Sequence, residues 1–240
     1  MAAGLANGLP APSAGAQSTA PTIAAWVQRT MPPPDRTPAD WRLLAASVAA
    51  AAGEVAARGW TPATAGNFSA RIDAHTVAIT ISGRDKGRLT AADFLRVDLD
   101  GRVIEGEGQP SAETALHLQL YRRARAIGAV LHTHSHNQTV AGRALAREGR
   151  VVFAGYELLK AFAGVASHDA TVALPVFPNT QQVALLAEQV ERAMDAGHAV
   201  FGYLIEGHGI YAWGADVAEA MRHLEALDFL LGCELELRRL

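Results

Sequence analysis

The apolar and polar positions after residue 36 follow two different periods. Trp41, Leu44, Val48 and Val55 recur at the spacing of one helix face, and Gly59 follows them as a helix stop. Apolar residues at helical spacing predict further helices over 111–125, after 137, near 156–162, over 183–196 and from 216 to the C-terminus. These elements follow one another closely and indicate one folded domain.

Between the helices, runs of β-branched and apolar residues predict short strands. The predicted strands cover residues 67–72, 77–81, 94–99, 103–104, 129–131, 151–153, 171–176, 199–205 and 210–213. Several are separated only by a tight turn, which favours antiparallel pairing over a regular β-α-β winding. The pattern therefore predicts an α/β fold in which helices flank a mixed, mainly antiparallel sheet.

Composition limits the size of the domain and the class of partner. A chain of 240 residues suits a single domain. Residues 1–36 are rich in Ala and Pro and predict a disordered leader, so the catalytic domain is expected over 37–240. The net charge of −3 argues against binding to nucleic acid.

The cysteine content and the apolar runs predict a cytoplasmic protein. Cys233 is the one cysteine, which excludes an internal disulfide and suits a reducing compartment. No apolar run reaches the ~18 residues of a membrane span. The first residues lack the basic start of a secretory signal.

The densest candidate for chemistry is the segment Leu131-His132-Thr133-His134. A predicted strand runs into two histidines at positions i and i+2, which lie on the same face of an extended backbone and can reach one ion. The alternative is that both histidines end the strand and bond to backbone and water. His136 is not expected to be a ligand, because the chain should turn at 135–137.

A third histidine, His208, lies between Gly207 and Gly209 at the tip of a predicted hairpin. Glycine permits the backbone to approach closely there. Three histidine ligands leave a fourth coordination position open, which is the arrangement of a catalytic zinc. Other histidines, His117 and His223 among them, are interpreted as structural or solvated.

Two carboxylates are candidates for acid–base work. Glu113 follows Ser111 at a predicted helix start, where stabilisation of the helix would by itself explain an acidic residue. Glu157 has apolar neighbours in the sequence, which predicts a raised pKa and a base near neutral pH. The alternative for Glu157 is an exposed side chain paired with Lys160. The residues alone leave both candidates open.

A third group of residues predicts a phosphate-binding site. Exposed backbone N–H groups at turns, a hydroxyl at a helix N-terminus and a lysine are groups that bind phosphate. The residues are Gly66, Asn67, Ser82, Gly83, Lys86 and Ser111. The dipeptides Gly-Asn and Ser-Gly also occur in ordinary turns, so the prediction rests on the whole group and not on any single residue.

Five motifs, taken in order along residues 38–240, resemble those of the class II aldolase/adducin family. They are Gly66-Asn67-Phe68-Ser69, Ser82-Gly83, Pro110-Ser111-Ala112-Glu113, His132-Thr133-His134-Ser135 and Gly207-His208-Gly209. Two positions depart from the family pattern: Ala65 replaces an expected Ser, and His136 replaces an uncharged residue.

The resemblance implies the family's three-layer α/β/α class II aldolase-like fold and a homotetramer with sites near subunit contacts. It also implies one Zn²⁺ per subunit on His132, His134 and His208, with Glu157 as the catalytic acid/base. In the aldolase branch of the family, the position of Glu113 bears the catalytic carboxylate. The division of work between the two carboxylates stays open.

Within the family, residues 82–88, 155–160 and 223–231 resemble a dehydratase branch. That branch implies a small phosphorylated ketose bearing a methylthio group as substrate, the loss of one water and a role in methionine salvage. The alternatives are a sugar-phosphate aldolase or 4-epimerase, and a non-catalytic scaffold of the adducin type. No membrane or nucleic-acid partner is expected.

The last predicted helix carries an apolar stripe through Val217, Met221, Leu224, Leu231 and Leu235. Further apolar residues widen this stripe beyond one helix face. Burial on two sides, as at a subunit contact, would account for the width. The alternative is a helix that lies deep within its own subunit.

Overall fold

The computed structural model describes residues 25, 26, 28, 30, 41–195 and 201–240. Its helices are α1 (Trp41–Ala57), α2 (Thr114–Arg123), α3 (His136–Ala144), α4 (Val183–Asp195) and α5 (Val217–Leu237). Its strands are β1 (Asn67–Arg71), β2 (Thr76–Thr80), β3 (Phe94–Asp98), β4 (Val103–Glu105), β5 (Ala129–Thr133), β6 (Arg150–Ala154), β7 (Thr171–Phe177), β8 (Gly202–Ile205) and β9 (Ile210–Gly214).

The predicted leader, residues 1–36, lies outside the described residues except at four positions. Of these four, Trp26 is helical and buried. The leader therefore remains a prediction, as does the start of the domain at residue 37.

The strands of the described residues form one nine-stranded sheet in the order β4-β3-β2-β1-β5-β9-β8-β7-β6. Neighbouring strands are antiparallel except for β7 and β8, which are parallel. The prediction of a mixed, mainly antiparallel sheet in an α/β fold is confirmed.

The helices form two groups around this sheet. Helix α2 packs against α4, whereas α5 packs against α1, α3 and strands β5 and β9. This arrangement agrees with the three-layer α/β/α fold. Among the described helices, none combines the length and the hydrophobicity needed to cross a bilayer.

Two predicted helices differ from the structure. The helix predicted over 111–125 begins only at Thr114, because residues 111–113 form the turn that leads into it. The helix predicted near 156–162 is a 3-10 turn over Glu157–Ala161. Its apolar positions are too few to bury a complete helical face, and only Leu159 within it is buried.

The order of the central strands places the candidate site residues together. Asn67 of β1 lies opposite His132 of β5, and His132 lies opposite Tyr211 of β9. The turn between β8 and β9 carries His208 to the same edge of the sheet. Three segments that are distant in sequence therefore meet at the ends of three adjacent strands.

Candidate metal centre and substrate cavity

The structure brings His132, His134 and His208 together. One ring nitrogen of each lies within 4.8 Å of the others. The Nε2 atoms of His132 and His134 are 2.8 Å apart, and the rings of His134 and His208 have centroids 4.6 Å apart. Strand β5 supplies His132, the residue just beyond the strand supplies His134, and the β8–β9 turn supplies His208.

The ring of His132 is fixed by its neighbours. Its Nδ1 bonds to the carbonyl oxygen of Ile210 at 2.9 Å, and since a carbonyl only accepts, Nδ1 carries the proton. Tyr211 stacks on the same ring at a centroid distance of 4.1 Å. Burial lowers the pKa of His132 to about 4, so its Nε2 presents a lone pair at neutral pH.

His134 is held by the turn that follows β5. Its backbone N–H donates to the carbonyl of Trp60 at 2.8 Å, and burial, together with His132 and His208, lowers the pKa of its imidazole to about 3. Ser135 then caps α3 by accepting from the backbone N–H of Gln138. Asp228 of α5 accepts from the side chains of both Ser135 and Gln138 and so ties this turn to α5.

The close approach of the β8–β9 turn to β5 requires a glycine after His208. A Cβ atom at Gly209 would lie 2.1 Å from the carbonyl oxygen of Thr133 and 3.3 Å from Cε1 of His132. Because backbone cannot move as easily as a flexible side chain, this contact admits no larger residue. The motif Gly207-His208-Gly209 therefore sets the distance between the third histidine and the other two.

Glu113 lies directly beside the three histidines. Its carboxylate oxygens are 3.3 Å from Nε2 of His132 and 3.1 Å from Nε2 of His208. Nδ2 of Asn67 donates to it at 2.7 Å. Burial would raise the pKa of Glu113, but the hydrogen bond from His208, the positive charge that His132 acquires at low pH and the hydrogen bond from Asn67 hold it well below its usual range.

The residues predicted to bind phosphate line one cavity of about 340 Å³ together with Glu113, His134 and His208. They are Gly66, Asn67, Ser82, Gly83, Lys86 and Ser111. Lys86 is buried, and its Nζ donates to the carbonyls of Thr64 and Arg84. Two of the three ammonium N–H groups are thus used within the protein, and burial lowers the pKa of Lys86.

Glu157 does not line this cavity within one subunit. Its side chain is 73 % exposed on the 3-10 turn and pairs with Lys160 and His168. The hydrogen bond from Lys160 lowers the pKa of Glu157, so the expectation of a raised pKa is wrong for the single chain. The apolar residues beside Glu157 in the sequence do not enclose its carboxylate.

Glu157 lines a second, larger groove of about 1220 Å³. Trp60, His136, Tyr156 and Phe229 are among the other residues of this groove. His136 begins α3 and is absent from the histidine group, in agreement with the turn expected at 135–137.

Sequence reasoning gave no catalytic or metal-orienting role to the polar residues behind the cavity. These are Ser69, His117, Tyr121 and Tyr211. Two signals in the sequence point to the first three. Asn67, Ser69 and Arg71 alternate with apolar residues on β1, and Glu113, His117 and Tyr121 recur every fourth residue along α2 and its N-cap.

The donor set suits a divalent transition metal. Three convergent imidazoles, of which burial keeps His132 and His134 neutral at neutral pH, offer the ligands that zinc, iron, cobalt and nickel accept. The hydrogen bond from Nδ1 of His132 to a carbonyl is the usual outer contact of a metal-bound histidine. The described residues therefore fit a metal ion, and the fit does not select one metal.

Comparison with known proteins gives close relatives. The model of the class II aldolase and adducin N-terminal domain matches residues 46–235. The chain is 57 % identical over 187 residues to methylthioribulose-1-phosphate dehydratase of Stenotrophomonas maltophilia (strain K279a), which covers 78 % of this chain and 87 % of that protein. The dehydratase of Xanthomonas campestris pv. campestris (strain 8004) is also 57 % identical, over 78 % of this chain and 86 % of its own length.

Solved structures share the fold at lower identity. YgbL of Escherichia coli superposes with a TM-score of 0.70 at 22 % identity, over 82 % of this chain and 90 % of that one. An L-fuculose 1-phosphate aldolase superposes with a TM-score of 0.68 at 23 % identity, over 85 % of this chain and 89 % of that one. These similarities support the description of the fold.

Proposed function

This chain belongs to the class II aldolase and adducin family, and from that premise we propose that it is a hydro-lyase that dehydrates 5-methylthioribulose 1-phosphate. The products are 5-methylthio-2,3-dioxopentyl phosphate and water, in the methionine salvage pathway. Relatives 57 % identical bear the name of this dehydratase. The observation that carries the proposal is a cavity lined by His134, His208, Glu113 and the predicted phosphate-binding residues, with His132 converging on the same point from behind it.

We propose one Zn²⁺ per subunit on His132, His134 and His208. Bound there, zinc would polarise the C2 carbonyl of the substrate and acidify the proton on C3. The protein's own contribution is to keep His132 in one tautomer through Ile210 and to keep the His134 ring neutral by burial.

The phosphate-binding residues give the substrate one direction in the cavity. Gly66, Ser82, Gly83 and Ser111 line it on the side of β1, β2 and the turn before α2, and offer backbone N–H groups and hydroxyls to an anion. With its C1 phosphate held there, the ketone and the C3–H bond are directed towards the histidines and Glu113. This placement is the reason for assigning the phosphate site to these residues.

Proton transfer requires a carboxylate at the reacting carbon. Glu113 is in the cavity, and we propose that it takes part by accepting the C3 proton or by directing its removal. As the C3–H electrons form the new C=C bond, the C4–O bond breaks and the leaving oxygen takes a proton and departs as water. The resulting enol then tautomerises to the diketone.

Glu157 stays a proposed second acid/base, on the strength of the family resemblance. Its exposed carboxylate requires a neighbouring subunit if it is to reach a cavity. We propose a homotetramer in which the groove around Phe229 and Tyr156 is a subunit contact and brings Glu157 to an adjacent site. Arg222, Arg239, Glu225 and Glu236 line the same groove, each paired with an opposite charge of its own subunit, so that a second copy would meet a surface of balanced charge.

A diketone assay on zinc-loaded protein tests the reaction and both carboxylates. We expect diketone formation from methylthioribulose 1-phosphate, with Glu113→Gln and Glu157→Gln each lowering kcat by about 100- to 10,000-fold. Glu188→Gln, on an exposed face of α4, is the matched control and should retain activity. Equal zinc content in all variants would separate proton transfer from metal binding.

Aldol cleavage or epimerisation of ketose phosphates without a diketone would replace the dehydratase with the aldolase or epimerase alternative. The position of Glu113 next to the histidines is the observation that favours this alternative. Purified protein that binds no zinc would instead favour a non-catalytic scaffold. We also propose a cytoplasmic location, because Cys233 has no disulfide partner within the chain.

A further inference from the structure

A chain of buried hydrogen bonds runs behind the cavity and ends on Glu113. The hydroxyls of Tyr121 and Ser69 are 2.8 Å apart, and Ser69 Oγ is 2.7 Å from Nδ1 of His117. Nε2 of His117 bonds to Oδ1 of Asn67. Nδ2 of Asn67 then bonds to Glu113 at 2.7 Å and to Ser111 Oγ at 3.2 Å.

The direction of each hydrogen bond follows from its acceptor end. An ionised carboxylate only accepts, so the Asn67 atom that faces Glu113 is the amide nitrogen. Oδ1 of Asn67 therefore faces His117 and accepts from Nε2–H. Nδ1 of His117 then bears the lone pair and accepts from the Ser69 hydroxyl, which leaves Ser69 Oγ to accept from Tyr121.

The opposite arrangement is excluded by charge. An Asn67 amide turned by 180° would place Oδ1 about where Nδ2 now lies, 2.7 Å from a carboxylate oxygen of Glu113. Two acceptors at that distance repel each other, and the second bond, to Ser111, would also be reversed. His117 would have to take the other tautomer for the turned amide to be satisfied.

We infer that His117 is a positioning residue for this cavity: its Nε2–H holds the side-chain amide of Asn67 in the one orientation that presents Nδ2 to Glu113 and Ser111. The inference rests on the proposed function for its catalytic consequence, whereas the orientation of the amide stands on the hydrogen bonds. His117 touches neither the substrate space nor the three histidine ring nitrogens, and acts through Asn67.

Burial of His117 gives this role its physical basis. The side chain is fully buried, and burial lowers its pKa to about 3, so the ring is neutral and has one donor and one acceptor. If packing were the only requirement, a leucine could fill this space without the cost of burying a polar ring. Both ring nitrogens instead form hydrogen bonds: Nδ1 accepts from the Ser69 hydroxyl, and Nε2–H donates to Asn67.

The first test is the tautomer of His117 in the wild-type protein. Nitrogen-15 NMR of histidine-labelled protein should show a neutral ring protonated on Nε2, assigned by its loss in His117→Gln. A ring protonated on Nδ1, or a charged ring, would overturn the inference. This measurement needs no substrate, so it stands even if the wild-type protein forms no diketone and the proposed function fails.

The second test compares substitutions by kcat, KM and zinc content. His117→Leu should lower kcat/KM about 10- to 100-fold with zinc unchanged, because displacement of a catalytic group by about 1 Å has effects of that size. His117→Gln, whose amide nitrogen can replace Nε2, should recover most of the loss. His223→Leu is the matched control, since His223 is equally buried but bonds to Trp213 and Ala163.

A double-substitution cycle separates positioning from general loss of structure. In an Asn67→Ala background, His117→Leu should lower kcat/KM by no more than about twofold, because the residue through which it acts is gone. Losses that multiply in the double variant, or a loss in His223→Leu equal to that in His117→Leu, would show that His117 only supports the fold.

Discussion

At the scale of single residues, the site depends on contacts that are distant in sequence. The sequence predicted that His132, His134 and His208 would approach one another, and the structure brings them together. The carbonyl of Ile210 and the ring of Tyr211 fix His132, but neither carries a motif. A backbone carbonyl and a stacked ring act through their positions in the fold, and these positions cannot be predicted from a single sequence.

The two carboxylates show that the sequence around a residue does not determine its contacts in the fold. Glu113 had an adequate explanation as a residue at a helix start, yet it bonds to Asn67 and lies against two histidines. Glu157 has apolar neighbours in the sequence, yet its carboxylate is exposed. Sequence neighbours indicate an environment only when the local structure turns them towards each other.

Gly209→Ala tests the close approach of the β8–β9 turn to β5. The added Cβ would meet the carbonyl of Thr133, and we expect a loss of about 1–3 kcal/mol in the free energy of unfolding, with weaker zinc binding. Gly53→Ala is the control, since nothing lies within 4 Å of a Cβ there and the residue is inside α1. That variant should gain about 0.5–1 kcal/mol.

Urea unfolding and measured zinc content decide the comparison. A Gly209→Ala variant with wild-type stability and full zinc content would mean that β9 shifts freely relative to β5.

At the scale of elements, the short strands predicted from alternating residue types were the best-predicted part of the chain. Strands β1 and β2 and their short turn were predicted from alternation and from Asp73 to His75 as turn residues. Ser69 pairs with Ile79 in the resulting register. The 3-10 turn over Glu157–Ala161 was predicted as a helix, because a few apolar residues fit both and burial decides between them.

The turn after β1 gives a prediction with a defined pH dependence. Asp73 accepts from the backbone N–H groups of His75 and Thr76 and from the Thr76 hydroxyl. Burial would raise the pKa of Asp73, but the bond from Thr76 and the others outweigh it and lower the pKa below 3.8. Asp73→Asn should therefore destabilise the protein at pH 7, by about 1–2 kcal/mol.

The sign of the pH effect follows from the lowered pKa. The unfolded chain binds the proton first, so the stability that Asp73 contributes is complete above pH 3.8 and is lost as the pH falls through the folded-state value. The difference between wild type and Asp73→Asn, measured by urea unfolding, should shrink below pH 3.8. Asp100→Asn, in the exposed β3–β4 turn, should show no comparable difference at either pH.

At the scale of the whole molecule, the order of the strands in the sheet could not be predicted from the sequence pattern. Periodicity predicts that strands exist and that neighbours in sequence pair, as β1 with β2 and β8 with β9 do. It does not state that β1 and β9 both pair with β5, which is the arrangement that assembles the cavity. Those pairings depend on long-range packing, which the period of a single segment does not encode.

The groove around α5 gives a prediction about assembly. Nine of the 21 residues of α5 are buried within its own subunit, Leu224, Leu227 and Leu230 completely, whereas Phe229 is 59 % exposed. Phe229→Arg should reduce the mass of the oligomer in light scattering, because the charge would be buried at the proposed contact. Leu185→Arg, at a position 46 % exposed on α4, is the control and should leave the mass unchanged.

An unchanged mass in Phe229→Arg would place the subunit contact elsewhere. Diketone formation should fall together with the mass if Glu157 acts in the cavity of a neighbour. Full activity in a dissociated variant would leave Glu113 as the carboxylate of a self-sufficient subunit.

The strand order β1-β5-β9 also determines when the protein can acquire its metal. During synthesis, a chain that has reached residue 200 carries two of the three histidines but lacks His208 and the strand that holds Ile210 against His132. A pair of histidines binds a divalent metal weakly and without selection, so a metal at this site is captured only after His208 has been synthesised and β9 has paired with β5.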